Sequence, residues 1–431
     1  MKKCIGIALL AVMPNGYTLT LEESAALAVR TQPQLLGKYA RYEAVRSDQR
    51  SARGDYFPQV SLRLGAGPEK YWYKFGKKTD SDLTRQDGNV NISQKLFDGF
   101  RTSANVDRLG FEAESERQGL ISNAENMLLN VTATYNEVLK EQDIVNLAQH
   151  NVAEHEQVLR DITSQLSQGY ASDSDIAQVV SRLASARSSL IAANNNLADA
   201  KTRYLQLVGQ PAEQLIKPRV DMTLLPPTLD EALMLAQKNH PELKAARADI
   251  EATHQEGRVN RSGYYPHLSL DAGYNRGEDL EGIEGRNESA QLMLNLNYDL
   301  FNGGRDFHRS ESSAWHSQET QSISQKAERD VHEGTELAWS AYQALTQQLG
   351  YLQQSVDAAT AAEAGYTQQY KLGRRTLLDV LNAKIEVFAA RRAYLTSFYD
   401  HKQAMYRMLN ATGQLSYALR VDLPSQFSQQ E

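Results

Sequence analysis

Histidine, cysteine, serine and the carboxylates are the residue types that could do chemistry, and here none is spaced for it. The nine histidines are scattered, and no H-E-x-x-H pair occurs. His150 and His155 share a predicted helix but stand five apart, off a single face, so no metal site is expected. Gly303-Gly304 suits a turn better than a nucleotide cradle, and the phosphate loop G-x-x-x-x-G-K-S/T does not occur. There is no G-x-S-x-G elbow, and nothing pairs a nucleophile with a base. The single cysteine, Cys4, excludes a disulfide framework or a cysteine metal cluster. The expectation is a protein without cofactor or catalytic site, whose elements themselves do the work and whose energy comes from partners.

The bulk composition bounds those elements. Net charge is −7, with 46 basic and 53 acidic residues interleaved and no basic face, so no nucleic-acid partner is expected. Aromatic content is 8%, prolines number 11, and Ala, Gln, Ser, Leu and Asn crowd the middle of the chain, which favours long helices. Lys2 and Lys3 precede an apolar run from Ile5 to Met13, broken by Pro14, Asn15 and Gly16. That pattern predicts a secretory leader over residues 1–16. Cys4 precedes the apolar run, whereas a lipid-anchored cysteine would follow it. No later stretch approaches the roughly 18 apolar residues of a membrane helix. The exported chain is therefore expected in the periplasm, in the medium, or in the outer membrane as a barrel.

The chain is written twice. "TQPQLLGKYAR" pairs with "KNHPELKAARA", Phe57-Pro58 with Tyr265-Pro266, and Leu62 with Leu270. After a slightly shorter offset, Leu96-Phe97-Asp98-Gly99 pairs with Leu300-Phe301-Asn302-Gly303. Gly169, Asp175 and Gly209 then match Gly373, Asp379 and Gly413. Punctuation matched in order predicts two tandem copies. The first is expected over 17–219, the second over 220–421, with a tail at 422–431.

Each copy opens with a capped amphipathic helix at Thr20 or Thr228, and a second helix is expected over Pro33 to Phe57. Alternation of period two follows, at about 59–97 in the first copy and about 267–300 in the second. Val60, Leu62 and Leu64 face away from Ser61 and Arg63, and Leu292, Leu294 and Leu296 from Gln291 and Asn295. Runs of this length suit tilted membrane strands, and Tyr56, Phe57, Phe97, Tyr264, Tyr265 and Phe301 cluster at their ends, with Tyr71, Trp72 and Tyr73 expected at the opposite rim. A soluble sheet with one face on a core is the alternative. Four strands cannot close a barrel, so a membrane role requires several chains to share one. The rest of each copy is a helical hairpin, at about 104–208 and about 305–411, whose long arm runs about 95 Å.

On these residues the chain resembles the TolC-like outer membrane factors. "YKLGRRTLLDVLNAKIEVFAARRAYL" (Tyr370 to Leu395) is similar to the family's second hairpin turn and returning helix, and "QGYASDSDIAQVVSRLASARSSL" to its first. "LFDGF" and "LFNGG" match the strand-to-helix turns. The resemblance implies an α+β membrane protein: a homotrimer with a 12-stranded β-barrel in the outer-membrane lipid, continued by a periplasmic α-helical barrel. Arg63, Lys95, Asp271 and Asp299 would face the barrel lumen. Asp379 matches the acidic ring narrowing the periplasmic entrance. Arg375 and Tyr370 match tethers of the inner hairpin, and Asp175 their acidic partner on the outer one. Asn382 stands where some members place a second aspartate, which predicts weaker block by multivalent cations. The plainer alternatives are solvated helix-end charges at Arg375 and Asp175, and a dipole-favoured helix acid at Asp379.

The family's ducts work with a periplasmic adaptor and an inner-membrane pump. The turns and the acidic loop "RGEDLEGIEG" look like the type I secretion branch that exports large adhesins through an ABC transporter. The exit duct of a proton-driven drug-efflux pump is the first alternative, and a coiled-coil scaffold without a pore is the second.

Overall fold

The computed structural model describes residues 19–72 and 81–422. The expected leader at 1–16, Tyr73, and the tail from 423 onward lie outside the described residues. The two copies run through the same series of elements. The first has α1 (Leu21–Thr31), α2 (Pro33–Arg53), β1 (Gln59–Tyr71), β2 (Ser81–Phe97), α3 (Arg101–Ser167) and α4 (Asp173–Val208). The second has α5 (Leu229–Asn239), α6 (Pro241–Arg261), β3 (His267–Glu278), β4 (Arg286–Asn297), α7 (Arg305–Lys371) and α8 (Leu377–Ala411), and a short α9 (Leu415–Ala418) follows. Two compact units cut across this repeat, each taking segments from both copies.

The sheet unit holds residues 38–119 and 242–328. Its four strands are antiparallel in the order β1-β2-β3-β4. Because side chains alternate along a strand, the register sorts residues onto two faces. Val60, Ile92, Ala272 and Leu292 lie in one row, and Leu62, Val90, Tyr274 and Ala290 in the next. The other face carries Ser61, Asn91, Gly273 and Gln291, then Arg63, Asn89, Asn275 and Ser289. The apolar face is bare in the protomer, with Leu64 74% and Leu296 69% exposed. A contiguous apolar surface of this kind needs lipid or another chain against it.

Helix α2 ends at Arg53, and Gly54–Tyr56 forms a single 3-10 turn before the strand, so the helix stops short of the expected Phe57. Pro58 excludes a helical residue before it, and Phe57 is accordingly extended at φ −103°, ψ 156°. At the turn from β2 into α3, Gly99 has φ +66°, and a Cβ there would come within 2.6 Å of the Ser262 carbonyl. Phe100 is also left-handed, at φ 65°, and stacks edge-on with Phe97 at 5.3 Å and Tyr265 at 6.1 Å.

The hairpin unit holds the remaining described residues. Leu120, Ala124, Met127, Val131, Val138 and Val145 are buried along α3, at the three-and-four spacing of a helix packed sideways on other helices. Small Ala186, Ala193 and Ala200 do the same on α4, which lets neighbouring backbones approach closely. The segment between the copies is pinned to this surface. The Tyr135 hydroxyl accepts from the Ile216 amide at 3.0 Å and lies 2.9 Å from the Leu19 carbonyl. Asp143 accepts from Tyr399 at 2.8 Å and Lys217 at 2.7 Å.

Candidate functional site

Two places gather the residues singled out in the sequence: the hairpin turns and the polar face of the sheet. At the first turn Gly169 is left-handed, with φ +79°, and reverses the chain, after which Ser172 caps α4. The Ser172 amide donates to Asp175 at 2.9 Å and the Asp175 amide donates back to the Ser172 hydroxyl at 3.3 Å. The second turn repeats this with Gly373 at φ +71° and with Thr376 and Asp379. Asp379 accepts from the Thr376 amide at 3.2 Å and its hydroxyl at 2.9 Å. Both acids therefore sit at the third helical position, where an N-terminal carboxylate satisfies orphan amides and meets the positive end of the dipole.

The Thr376 hydroxyl, then its amide and the Arg375 charge, hold Asp379 below the usual carboxylate range. A depressed folded value means the cap stabilises above the unfolded value and is lost as pH falls through the folded one. Thr376→Ala is expected to destabilise the turn by about 1 kcal/mol at neutral pH and less in acid. Protease cutting at the turn as a function of pH checks this.

Arg375 donates to Gln369 at 3.1 Å, stands 3.9 Å from Asp379, and lies 4.2 Å over the Tyr366 ring. Tyr370 donates to Gln165 of α3 at 3.1 Å, and burial, followed by the Asp175 charge, raises its pKa. Arg375 and Asp379 are thus brought together. Tyr370 reaches the first hairpin through Gln165, while Asp175 is engaged by Ser172. Asn382 accepts from Arg182 of α4 at 3.2 Å. Beneath these groups Ile162, Val179, Leu377 and Leu381 form a buried cluster, drawing the ends of α3, α4 and α8 together.

In the sheet unit Arg63 is exposed on the polar face, and Lys95 pairs with Asp55 at 3.1 Å. Asp271 accepts from Ser269 and Asn295, each at 2.7 Å. Asp299 is exposed just beyond β4. Sequence reasoning missed the rest of this face. Asn89 donates to Asn275, which donates to the Ser289 hydroxyl at 3.4 Å, a line of two amides and a hydroxyl across three strands. Arg85 is held between Glu69 at 3.1 Å and Asp87 at 2.8 Å. Gln165 and Arg182 were missed as well, since nothing local marks the partner of a residue 200 or more positions away. Such a surface can wet a passage, and an acid at a constriction can hold cations. Among the described residues no cluster of His, Cys, Asp or Glu could hold a metal ion, and no helix is long and apolar enough to cross a membrane.

The comparisons with known proteins agree with this geometry. The family profile described as outer membrane efflux protein matches residues 25–210 and 232–414, one match per copy. The chain is 26% identical over 428 residues to the outer membrane efflux protein BepC of Brucella suis, covering 96% of this chain and 91% of that one. It is 23% identical over 437 residues to the alkaline protease secretion protein AprF of Pseudomonas aeruginosa, covering 96% and 88%. Among solved structures, CusC superposes with a TM-score of 0.81 at 16% identity, covering 91% of this chain and 92% of that one. With both copies matched along nearly their full length, the chain belongs to the outer membrane efflux protein family, the TolC-like channels of the outer membrane.

Proposed function

We propose that three copies form one conduit through the outer membrane, and that an ABC transporter and a periplasmic adaptor export an unfolded polypeptide through it. The observation carrying the conduit is the four-stranded sheet, with one face apolar and bare and the other lined with amides and charges. Open sheet edges cannot face lipid, so β1 and β4 must be covered by other copies.

The internal repeat supplies the geometry of that seam. β4 is the counterpart of β2, 204 residues later, and β1 that of β3, 208 residues earlier. Placing the next copy's β1 on β4 as β3 sits on β2 carries the pair Ile92↔Ala272 to Leu296 opposite Leu64, and Asn91↔Gly273 to Asn295 opposite Gly65. Apolar then meets apolar and polar meets polar across the seam, as a closed barrel requires. Arg63, Lys95, Asp271 and Asp299 face the lumen. Asp379, held below the usual carboxylate range, supplies a ring of charge at the periplasmic end, with Arg375, Tyr370, Asp175 and Asn382 around it. Asp379→Asn is expected to abolish block of the reconstituted channel by a trivalent cation, and unchanged block would remove Asp379 from the constriction.

Secretion is supported by the turns "LFDGF" and "LFNGG", by the acidic loop at 276–285, and by the likeness to a protease secretion protein. A large repeat adhesin fits that branch as cargo. The likeness to BepC, named an efflux protein, favours a second reading, the exit duct of a proton-driven drug pump. Deleting the gene separates the two. Loss of one very large protein from the surface and medium, with drug tolerance unchanged, is the result expected for secretion. An unchanged secretome with new hypersensitivity to drugs and detergents would establish efflux.

A further inference from the structure

Lys384 lies five residues beyond Asp379 on α8, just over one turn, and is only 13% exposed. Its ammonium donates to Glu363 of α7 at 2.6 Å and to Glu154 of α3 at 3.2 Å. One half-buried lysine thus takes a carboxylate from its own hairpin and another from the other hairpin. Burial alone would lower a lysine, yet the Glu363 hydrogen bond and both carboxylate charges hold Lys384 above its ordinary range.

The repeat contains its own control. At the 204-residue offset Lys384 corresponds to Val180, Glu363 to Leu159, and Glu154 to Ala358. The counterparts carry no charge and Val180 is 47% exposed, so the first hairpin forms without an ion pair at this place. Replacing a partly buried ion pair by apolar groups is often neutral or stabilising, so the charges are not what makes this hairpin fold. What they add is direction and separability. An ion pair fixes one approach of α8 to α3 and α7, and it parts into water more readily than an apolar contact.

We infer that Lys384 is a positioning residue for the periplasmic entrance, fixing α8, and with it the Asp379 carboxylate, through Glu363 and Glu154. Parting α8 from α3 breaks the Glu154 bond while the Glu363 bond within the hairpin persists. The inner hairpin can thereby swing as one piece. This rests on the reading of Asp379 as the constricting acid.

Single-channel recording on the reconstituted full-length protein tests it, with a trivalent cation as blocker. Lys384→Met keeps the apolar stem and removes the charge; it is expected to raise conductance and to weaken block by about tenfold, which corresponds to about 1.4 kcal/mol. Glu154→Gln, on the more exposed partner, should shift both in the same direction by less, and it serves if Lys384→Met does not assemble. The triple exchange Lys384→Glu with Glu363→Lys and Glu154→Lys, which restores both pairs in reverse, should recover most of the block. Wild-type conductance and block in Lys384→Met, or in Glu154→Gln where the first does not assemble, would overturn the assignment. Asp379→Asn in the same assay separates the two failures, because a variant that still blocks would sink the constriction itself and not the latch alone.

Discussion

Leu294→Arg is expected to prevent stable insertion of the protein in the outer membrane, whereas Asn295→Arg, one residue along β4, is expected to insert. Leu294 lies in the apolar row with Leu270, and Asn295 lies on the opposite face, where it bonds Asp271. A charge on the lipid face of a barrel costs about 2–4 kcal/mol near the midplane. Repeated in three copies, that totals about 6–12 kcal/mol, comparable to the typical 5–15 kcal/mol that holds a protein folded. The polar face presents water to the new guanidinium and adds little beyond the loss of one hydrogen bond. Membrane fractionation with heat-modifiability on gels distinguishes the two. Equal behaviour of both variants would mean that the faces have been assigned the wrong way round or that neither meets lipid.

Glu125→Ala is expected to release the C-terminal segment from the hairpin unit. Glu125 is buried, and its carboxylate accepts from the Leu415 amide at 3.2 Å, the Ser416 amide at 3.1 Å and the Ser416 hydroxyl at 2.5 Å. It is the acceptor at the start of α9, and behind it Leu415, Leu419 and Val421 are buried. Each orphaned buried donor costs about 1–3 kcal/mol, so losing this acceptor should destabilise the unit by about 3 kcal/mol. Limited proteolysis should then remove the chain end from Leu415 onward. Glu125→Gln keeps one acceptor oxygen and should fall between. Burial, opposed by the Ser416 bonds, raises Glu125 above its usual value. A raised folded value gives stability that is full below the unfolded value and lost as pH rises through the folded one. Wild-type protein should show that slope in the range just above ordinary carboxylate titration, and Glu125→Gln should not.

Much of the architecture could be read in the sequence because it is carried by local, periodic signals. Alternation at Val60, Leu62 and Leu64 and at Leu292, Leu294 and Leu296 placed the strands and sorted their faces, and the register bears both out. Matched glycines at 169 and 373 placed both hairpin turns, where each takes the left-handed backbone that other residues avoid. The end of α2 was missed by one turn, since Gly54 weakens the helix before Pro58 forbids it. What no local pattern encodes is a partner far along the chain. Arg182 meets Asn382, Lys384 meets Glu154, and Glu125 meets Ser416 across separations of 200, 230 and 291 residues. Each such side chain reads in sequence as an ordinary solvated helix charge, and only the packing of distant helices gives it a role.

The central claim, a barrel shared between copies with a defined seam, is tested most directly by paired cysteines in a Cys4→Ser background. Leu296→Cys with Leu64→Cys places the two thiols opposite each other across the β4–β1 seam on one face, within the Cα separation of about 4.4–6.8 Å that a disulfide needs. Asn295→Cys with Leu64→Cys slips the pair by one residue and turns the thiols to opposite faces. Oxidation of membranes is expected to convert the first pair into covalent dimers and trimers and to leave the second as monomers. Monomers from both pairs, or equal cross-linking of both, would contradict the shared barrel and its register.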